Sequence, residues 1–78
     1  MNIERNIKIK HKTDNSKEID HICNIVFPMM GTWGDGCGFH DGMTTNFYLN
    51  GRWSFIVAVY SALCNNGYKP ILTEVDDN

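Results

Sequence analysis

Residues 33–42 read WGDGCGFHDG, with glycine at every second position from 34 to 38. Side chains of an extended strand alternate between its two faces, so the glycines leave one face of this segment as bare backbone. Glycine inside a strand gives up packing and raises the entropic cost of folding, so three in register predict that another backbone, an aromatic ring or a ligand comes close. The opposite face carries Trp33, Asp35, Cys37 and Phe39.

The dipeptide Asp41-Gly42 predicts a two-residue hairpin turn at the end of this segment. Such a turn pairs Gly36 with Phe47 and Gly34 with Leu49. An aromatic side chain on a neighbouring strand can cover the exposed backbone of a glycine. We therefore expect the glycines to lie beneath Phe47 and Leu49, on the side of the sheet that the helices cover.

Hydrophobic periodicity places a strand and two helices around this hairpin. Residues 6–12 alternate, with Ile7, Ile9 and His11 on one side and three lysines on the other, which predicts a half-buried first strand. Apolar residues at helical spacing over 19–27 predict a first helix, which Pro28 closes. Residues 50–65 predict a second helix with Asn50 as its N-cap and Asn66-Gly67 as its stop, although the run 55–60 would also suit a buried strand.

The final strand is predicted over 70–76, at an edge of the sheet because it begins with Pro70. Its inward residues are expected to be Ile71, Thr73 and Val75, and its outward residues Leu72, Glu74 and Asp76. The resulting order, β-α-β-β-α-β, is that of the ferredoxin-like plan, a four-stranded antiparallel sheet in the order 4-1-3-2 with two helices on one face. We predict a single α+β domain over residues 1–78.

Composition narrows the function classes. The chain has 78 residues, of which 42% are hydrophobic and 21% charged, and its net charge is -2. That charge is of the wrong sign for a protein whose main task is to bind phosphates. The three cysteines have no paired spacing, and neither a signal-like segment nor an apolar run of membrane-spanning length is present, so we expect a cytoplasmic protein.

Binding of single-stranded nucleic acid is the main alternative function. Lysines of the first strand and aromatic residues of the hairpin would share the open face of the sheet, and bases stack on aromatic rings beside cationic groups. Against it, Glu74 and Asp76 are expected to neutralise these lysines from the neighbouring strand. The residues concerned are Lys8, Lys10, Lys12, Trp33, Phe39 and Tyr48.

Metal and nucleophilic sites have weaker support. His21, Cys23, Cys37 and His40 offer zinc-ligand types, but residues two apart on a helix point about 200° apart, so His21 and Cys23 do not converge. Cys37 and His40 are three apart on a strand and point to opposite faces, which separates a nucleophile from its base. We predict no metal, no cofactor and no enzymatic activity.

The remaining signal is apolar surface. The second helix has a wider apolar circumference than one sheet can cover, and protein interfaces are enriched in aromatic residues. We predict a non-enzymatic protein-binding module, a small inhibitor or regulatory protein that self-associates through the second helix. Compact proteins of this kind are frequent among phage and mobile-element inhibitors, including those that block host defence nucleases, and the Asn-, Ile- and Lys-rich usage suits an AT-rich genome. The predicted partner-binding residues are Trp33, Asp35, Phe39, Asn46, Tyr48, Trp53 and Tyr60.

Overall fold

The computed structural model describes residues 2–11, 16–31 and 33–75. In chain order the elements are β1 (Ile3–Lys10), α1 (Ser16–Val26), a 3-10 turn (Phe27–Met29), β2 (Gly34–Asp41), β3 (Thr44–Gly51), α2 (Trp53–Asn65) and β4 (Ile71–Glu74). The strands form one antiparallel sheet in the order β2-β3-β1-β4. The predicted small α+β domain, with a four-stranded antiparallel sheet and two helices, is confirmed. Lys12 and Asp76 lie outside the described residues.

Both helices pack against the same face of the sheet, and their apolar stripes build the core with it. The Cα positions extend only 17 Å along the shortest axis, which suits one sheet covered by one layer of helices. No helix in the described ranges is long and apolar enough to cross a membrane. The core side chains are Ile7, Ile9, Ile22, Val26, Phe47, Leu49, Phe55, Ile56, Val59 and Leu63.

The hairpin between β2 and β3 turns one residue later than predicted. Its loop is Gly42-Met43, closed by the pair Asp41 and Thr44. Gly42 has a φ of +59°, and no non-glycine residue in the described part of the chain has a positive φ. Glycine therefore takes the first loop position, as a type II′ turn requires, whereas the predicted loop would have forced Asp41 into that conformation.

The later turn shifts the pairing of the two strands by two residues. Gly38, rather than Gly36, lies opposite Phe47, and Gly36 lies opposite Leu49. Because side chains alternate with a period of two, an even shift keeps every residue on its predicted face. The prediction of individual partners was wrong, but the prediction that the glycines share the helix-covered face with Phe47 and Leu49 is confirmed.

The glycines of β2 lie against aromatic rings and backbone. A Cβ at Gly38 would stand 2.7 Å from the Phe47 ring. A Cβ at Gly34 would overlap the ring of Phe55 on α2, a contact that was not predicted, and one at Gly36 would overlap the backbone oxygen of Tyr48. The three glycines therefore allow the helix layer and β3 to approach β2 more closely than any side chain would permit.

The start of α2 differs from the prediction. Asn50 is a strand residue, because β3 continues to Gly51, and α2 begins at Trp53 with Arg52 as its N-cap and no side-chain cap bond. Gly51 lies beside Gly34 and against the Phe55 ring, so the strand continues where close packing excludes a side chain. Asn50 was therefore wrong as an N-cap.

The end of α2 is as predicted. Gly67 has a φ of +88°. Its N–H donates to the carbonyl of Cys64 at 3.0 Å, and the N–H of Tyr68 donates to that of Leu63 at 3.1 Å. These two bonds form a Schellman motif, which satisfies carbonyls that the last helical turn leaves unpaired. The alternative of a buried strand over 55–60 is excluded by the helix.

The faces of β4 are the reverse of the prediction. Leu72 lies opposite Ile7 and packs against the core, while Ile71 lies opposite Lys8 and is 43% exposed. Pro70, which immediately precedes the strand, is buried. Because side chains alternate between the two faces, Leu72 and Glu74 lie on the same inward side as Pro70. Thr73 shares the open face with Ile71, and Val75 lies beyond the end of the strand.

Reversal of β4 also moves Glu74. It lies opposite Arg5 on the helix-covered side, where Arg5 Nη2 is 3.8 Å from Glu74 Oε1. The prediction that Glu74 neutralises Lys8 on the open face is therefore wrong.

The packing of β2 predicts the effect of adding one methyl group. Gly36→Ala should lower the free energy of unfolding by about 1–3 kcal/mol, because the new Cβ meets a backbone oxygen that cannot turn aside. Alanine also reduces the entropy of the unfolded chain, so without the clash the substitution would stabilise by about 0.4–1 kcal/mol. Urea unfolding followed by circular dichroism measures the difference. Cys37→Ala, on the exposed face of the same strand, is the control, and equal stability of the two variants would contradict this account.

Candidate functional site

The open face of the sheet carries a mixture of aromatic, polar and charged side chains. Its centre is formed by two rows that cross the strands. The first row contains Phe39, Asn46, Lys8 and Ile71, and the second contains Cys37, Tyr48, Asn6 and Thr73. Apart from Lys8, the charges lie toward the ends of the face: Lys10 and Asp41 at one end, and Asp35 and Glu4 at the other.

The structure brings four of the predicted site residues together on this face. Phe39 is 58% exposed, whereas Tyr48 is half-buried between its neighbours. Asn46 is only 8% exposed, and its Oδ1 accepts a hydrogen bond from Asn6 Nδ2 at 3.4 Å. Asp35 is exposed and bonds to its own strand, since its Oδ1 accepts the N–H of Gly36 at 2.8 Å. Of the four, Phe39 exposes the most apolar surface.

Trp33 stands at the corner where the open face meets the helix layer. It is 62% exposed, and the guanidinium carbon of Arg52 lies 5.9 Å from its ring centroid. On the sheet side it lines a polar depression of about 640 Å³ with Asp35 and Tyr48. On the helix side it lines an apolar groove of about 510 Å³ with Pro28, Met29, Ser54, Phe55 and Ala58.

Trp53 and Tyr60 lie apart from the open face, on the opposite layer. Trp53 is 50% exposed at the start of α2, with the guanidinium carbon of Arg5 at 5.7 Å from its ring centroid. Tyr60 is half-buried and packs against the core. The outer side of α2 also exposes Val57, at 42%, and the helix contains no charged residue. The predicted site residues therefore belong to two separate surfaces.

Phe27 is an exposed aromatic residue that sequence reasoning assigned to the core stripe of α1. The α-helix ends at Val26, so Phe27 enters the 3-10 turn and leaves the helical phase. Its ring contacts that of Phe47 edge-on, with centroids 5.7 Å apart, and the side chain stays 45% exposed. Pro28 was the available signal, since helices usually end at or before the residue that precedes a proline. Arg52 was also missed, because a cap at Asn50 would have placed it inside the helix.

The cysteines occupy three different environments. Cys37 is exposed on the open face, opposite in direction to His40 on the same strand, and Cys64 is exposed near the end of α2. Cys23 packs against the core, where burial, followed by the nearby Asp20 carboxylate, raises the pKa of its thiol. Within the described ranges, no group of three His, Cys, Asp or Glu residues is placed to hold a metal ion.

His21 contacts Tyr68 across the helix layer. Its Nδ1 lies 2.6 Å from the hydroxyl of Tyr68, and the two rings are tilted against each other with centroids 5.6 Å apart. Burial, followed by the Glu18 carboxylate, raises the pKa of Tyr68, so its hydroxyl keeps its proton over the physiological range. The contact connects α1 to the segment that leaves α2.

Comparison with known proteins adds no family to this description. No protein-family model matches the chain, and neither the curated proteins nor the solved structures contain a significant match.

The cysteine environments predict an order of alkylation. With iodoacetamide at pH 8, Cys37 and Cys64 should react before Cys23, because the raised pKa leaves less thiolate at Cys23 and the core restricts access to it. Peptide mass spectrometry over time measures the three rates. Unfolding in urea is the control and should bring the rates together, whereas fastest labelling of Cys23 in the folded protein would contradict the packing of α1.

Proposed function

We propose that this domain is a non-enzymatic protein-binding module, acting as a small inhibitor or regulatory protein. The observation that carries the proposal is the group of exposed aromatic side chains around β2. Phe27, Trp33 and Phe39 are 45%, 62% and 58% exposed. Aromatic residues are enriched at the centres of protein interfaces, where they bury a large area at little cost in side-chain entropy.

The relative positions of the reactive side chains support a non-enzymatic role. Cys37 and His40 lie on opposite faces of β2, whereas a nucleophile and its base must come within hydrogen-bond distance. The three free cysteines support a reducing compartment, and we propose the cytoplasm. For the fold we propose the ferredoxin-like plan, supported by the element order and by a strand order that reads 4-1-3-2 from the β4 edge.

Binding of single-stranded nucleic acid is the second candidate, and one observation favours it. Lys8 lies opposite Ile71 rather than beside an acidic residue of β4, so its charge remains available on the face that also carries Phe39 and Tyr48. Against it, the same face carries Glu4, Asp35 and Asp41, and the net charge of the chain is -2. Phosphate contacts depend on a surplus of cations, so we rank this candidate second.

The proposed function is tested by capture of partners from a lysate of the native host. The double variant Trp33→Ala, Phe39→Ala should lose the proteins that the wild type retains, because truncation of central aromatic residues costs about 2 kcal/mol or more each, over tenfold in affinity. Trp53→Ala is the matched control, since Trp53 is 50% exposed on the opposite layer. Quantitative mass spectrometry compares the three samples.

Two outcomes of this capture would contradict the assignment to β2. Loss of the partner in Trp53→Ala alone would move the binding surface to α2. Capture of a second copy of the chain through α2 would indicate self-association. Light scattering would then give twice the monomer mass for the wild type and the monomer mass for Val57→Asp.

A salt titration separates the second candidate from the first. We expect no saturable binding of fluorescent single-stranded oligonucleotides at micromolar protein, because acidic groups flank the lysines of the open face. Fluorescence anisotropy from low to physiological salt measures it, with Lys8→Ala as the comparison. Micromolar binding that weakens steeply with salt and is lost in Lys8→Ala would favour a nucleic-acid ligand and overturn the protein-binding proposal.

A further inference from the structure

The outer edge of β2 presents backbone groups that the sheet leaves unpaired. A two-residue hairpin is closed by a hydrogen-bonded pair, here Asp41 and Thr44, and bonded pairs alternate along antiparallel strands. The odd-numbered residues of β2 therefore bond to β3. Gly34, Gly36, Gly38 and His40 direct their N–H and C=O groups away from the sheet.

Two of these outward groups are already occupied by the chain itself. The carbonyl of Gly34 accepts the N–H of Gly31 at 2.7 Å, and the N–H of Gly36 is bonded to Asp35 Oδ1. Beyond them, in the part of the chain that the structure describes, no bond is made by the Gly36 carbonyl or by the N–H and C=O groups of Gly38 and His40. The open section of the edge runs from Gly36 to His40.

β2 lacks most of the usual features that protect an edge strand, and its two aspartates, Asp35 and Asp41, lie outside the open section from Gly36 to His40. It is eight residues long, contains neither lysine nor proline, and pairs with β3 in a continuous register without a bulge. Proteins normally protect such edges with lysine, proline, bulges or short strands. The other edge follows that rule, since β4 has four residues and is preceded by Pro70.

The helix side of this edge is apolar except at its turn end, where the His40 side chain lies on the same face as the glycines. β2 offers no side chains there between Gly34 and Gly38, and the groove lined by Pro28, Met29 and Phe55 lies beside its first residues. Phe27 lies close to Gly38, because a Cβ there would be 3.3 Å from the end of its ring. A strand added to the edge would place alternate side chains against these groups.

The open-face side of the edge is acidic. Asp35 and Asp41 stand near the two ends of β2, on the face opposite the glycines, and both are exposed. The other alternate side chains of an added strand would lie beside them and beside Phe39. Opposite charges on neighbouring strands attract, so lysine or arginine suits these positions.

We propose that the Gly36–His40 edge of β2 binds an extended segment of another protein by strand addition. The segment alternates apolar residues, which face the helix-side groove, with basic residues, which face Asp35 and Asp41. Main-chain hydrogen bonds supply affinity in this mode, and alternate side chains supply specificity. This inference rests on the proposed protein-binding function and names the chemistry of its partner.

A second copy of β2 fits the edge poorly. Its helix-side residues from 34 to 38 are glycines, which would leave the apolar groove unfilled. It would also bring the aspartates of one acidic strand onto the same face as those of the other, where like charges repel. A basic and apolar segment satisfies both the charge and the groove.

The test uses an acetylated and amidated octapeptide in which valine alternates with lysine, titrated into the isotope-labelled full chain. Binding should protect the amides of Gly38 and His40 from hydrogen exchange and shift their NMR resonances. His40→Pro, which removes one outward N–H, should weaken binding at least about fivefold. His40→Ala keeps that N–H and should bind like the wild type, and a peptide with glutamate in place of lysine should not bind.

Each contrary outcome overturns the inference in a different way. Shifts confined to Tyr48 and Lys8 would place the ligand on the open face, and equal binding by His40→Pro and His40→Ala would exclude the edge. Protection that grows with protein concentration alone would indicate pairing of two copies. Because the exchange protection of wild-type Gly38 and His40 is read directly, the test holds even if His40→Pro fails to fold.

Failure of this inference is distinguishable from failure of the proposed function. If the host partner is lost from the Trp33→Ala, Phe39→Ala variant but retained by His40→Pro, the protein-binding function holds and the strand-addition mode falls. If no host protein depends on Trp33 and Phe39 while the peptide still protects the edge, the proposed function falls on its own.

Discussion

The rest of the structure depends on the contact between the bare backbone of β2 and two aromatic rings. Phe55 of α2 rests on Gly34, and Phe47 of β3 covers Gly38. A side chain at Gly34 would push Phe55 and the start of α2 away from the edge of the sheet, and one at Gly38 would displace the core ring of Phe47. Protein interiors are packed to the density of an organic crystal, so neither ring can move freely. Gly34 thus sets how closely α2 approaches the edge, beside which the groove lies.

This close packing explains why the candidate surface gathers at one side of the domain. A strand without side chains on its helix face leaves the neighbouring rings partly uncovered, so Phe27 and Trp33 remain accessible at the edge. The intervening residues face the opposite way and carry the acidic and aromatic groups of the open face. One segment of sequence therefore presents an apolar side, a polar side and a backbone edge within a few ångströms of one another.

The sequence predicted the faces of β2 correctly, because a face depends only on whether two residues are an even or an odd number of positions apart. It did not predict the residue at which a turn or a strand begins. The glycine face was predictable because a two-residue shift in register leaves the faces unchanged. The exact pairing was not predictable, because both Asp41-Gly42 and Gly42-Met43 are two-residue loops that contain glycine. They differ only in the type of turn they form. In a strand as short as β4, the sequence pattern allows either Ile71 or Leu72 to face the helices. The burial of Pro70 places Leu72 on that side.

Burial of the individual aromatic residues was harder to predict than the fold. By its spacing in the sequence, Phe27 continues the apolar stripe of α1, and Trp53 lies in an almost wholly apolar helix. Both side chains nevertheless remain about half exposed. Their exposure depends on where a helix ends or begins within one or two residues, and such boundaries are the least reliable part of sequence reading.

The glycine content of β2 has a consequence for motion as well as for packing. The strand bonds to the sheet along one side only, and its glycines gain more conformational freedom on release than any other residues. An edge strand with few buried side chains opens at a lower free energy than the central strands of a sheet, which are paired on both sides. The candidate binding edge should therefore open more readily than the central strands β1 and β3, and a ligand that pairs with it would stiffen this side of the domain.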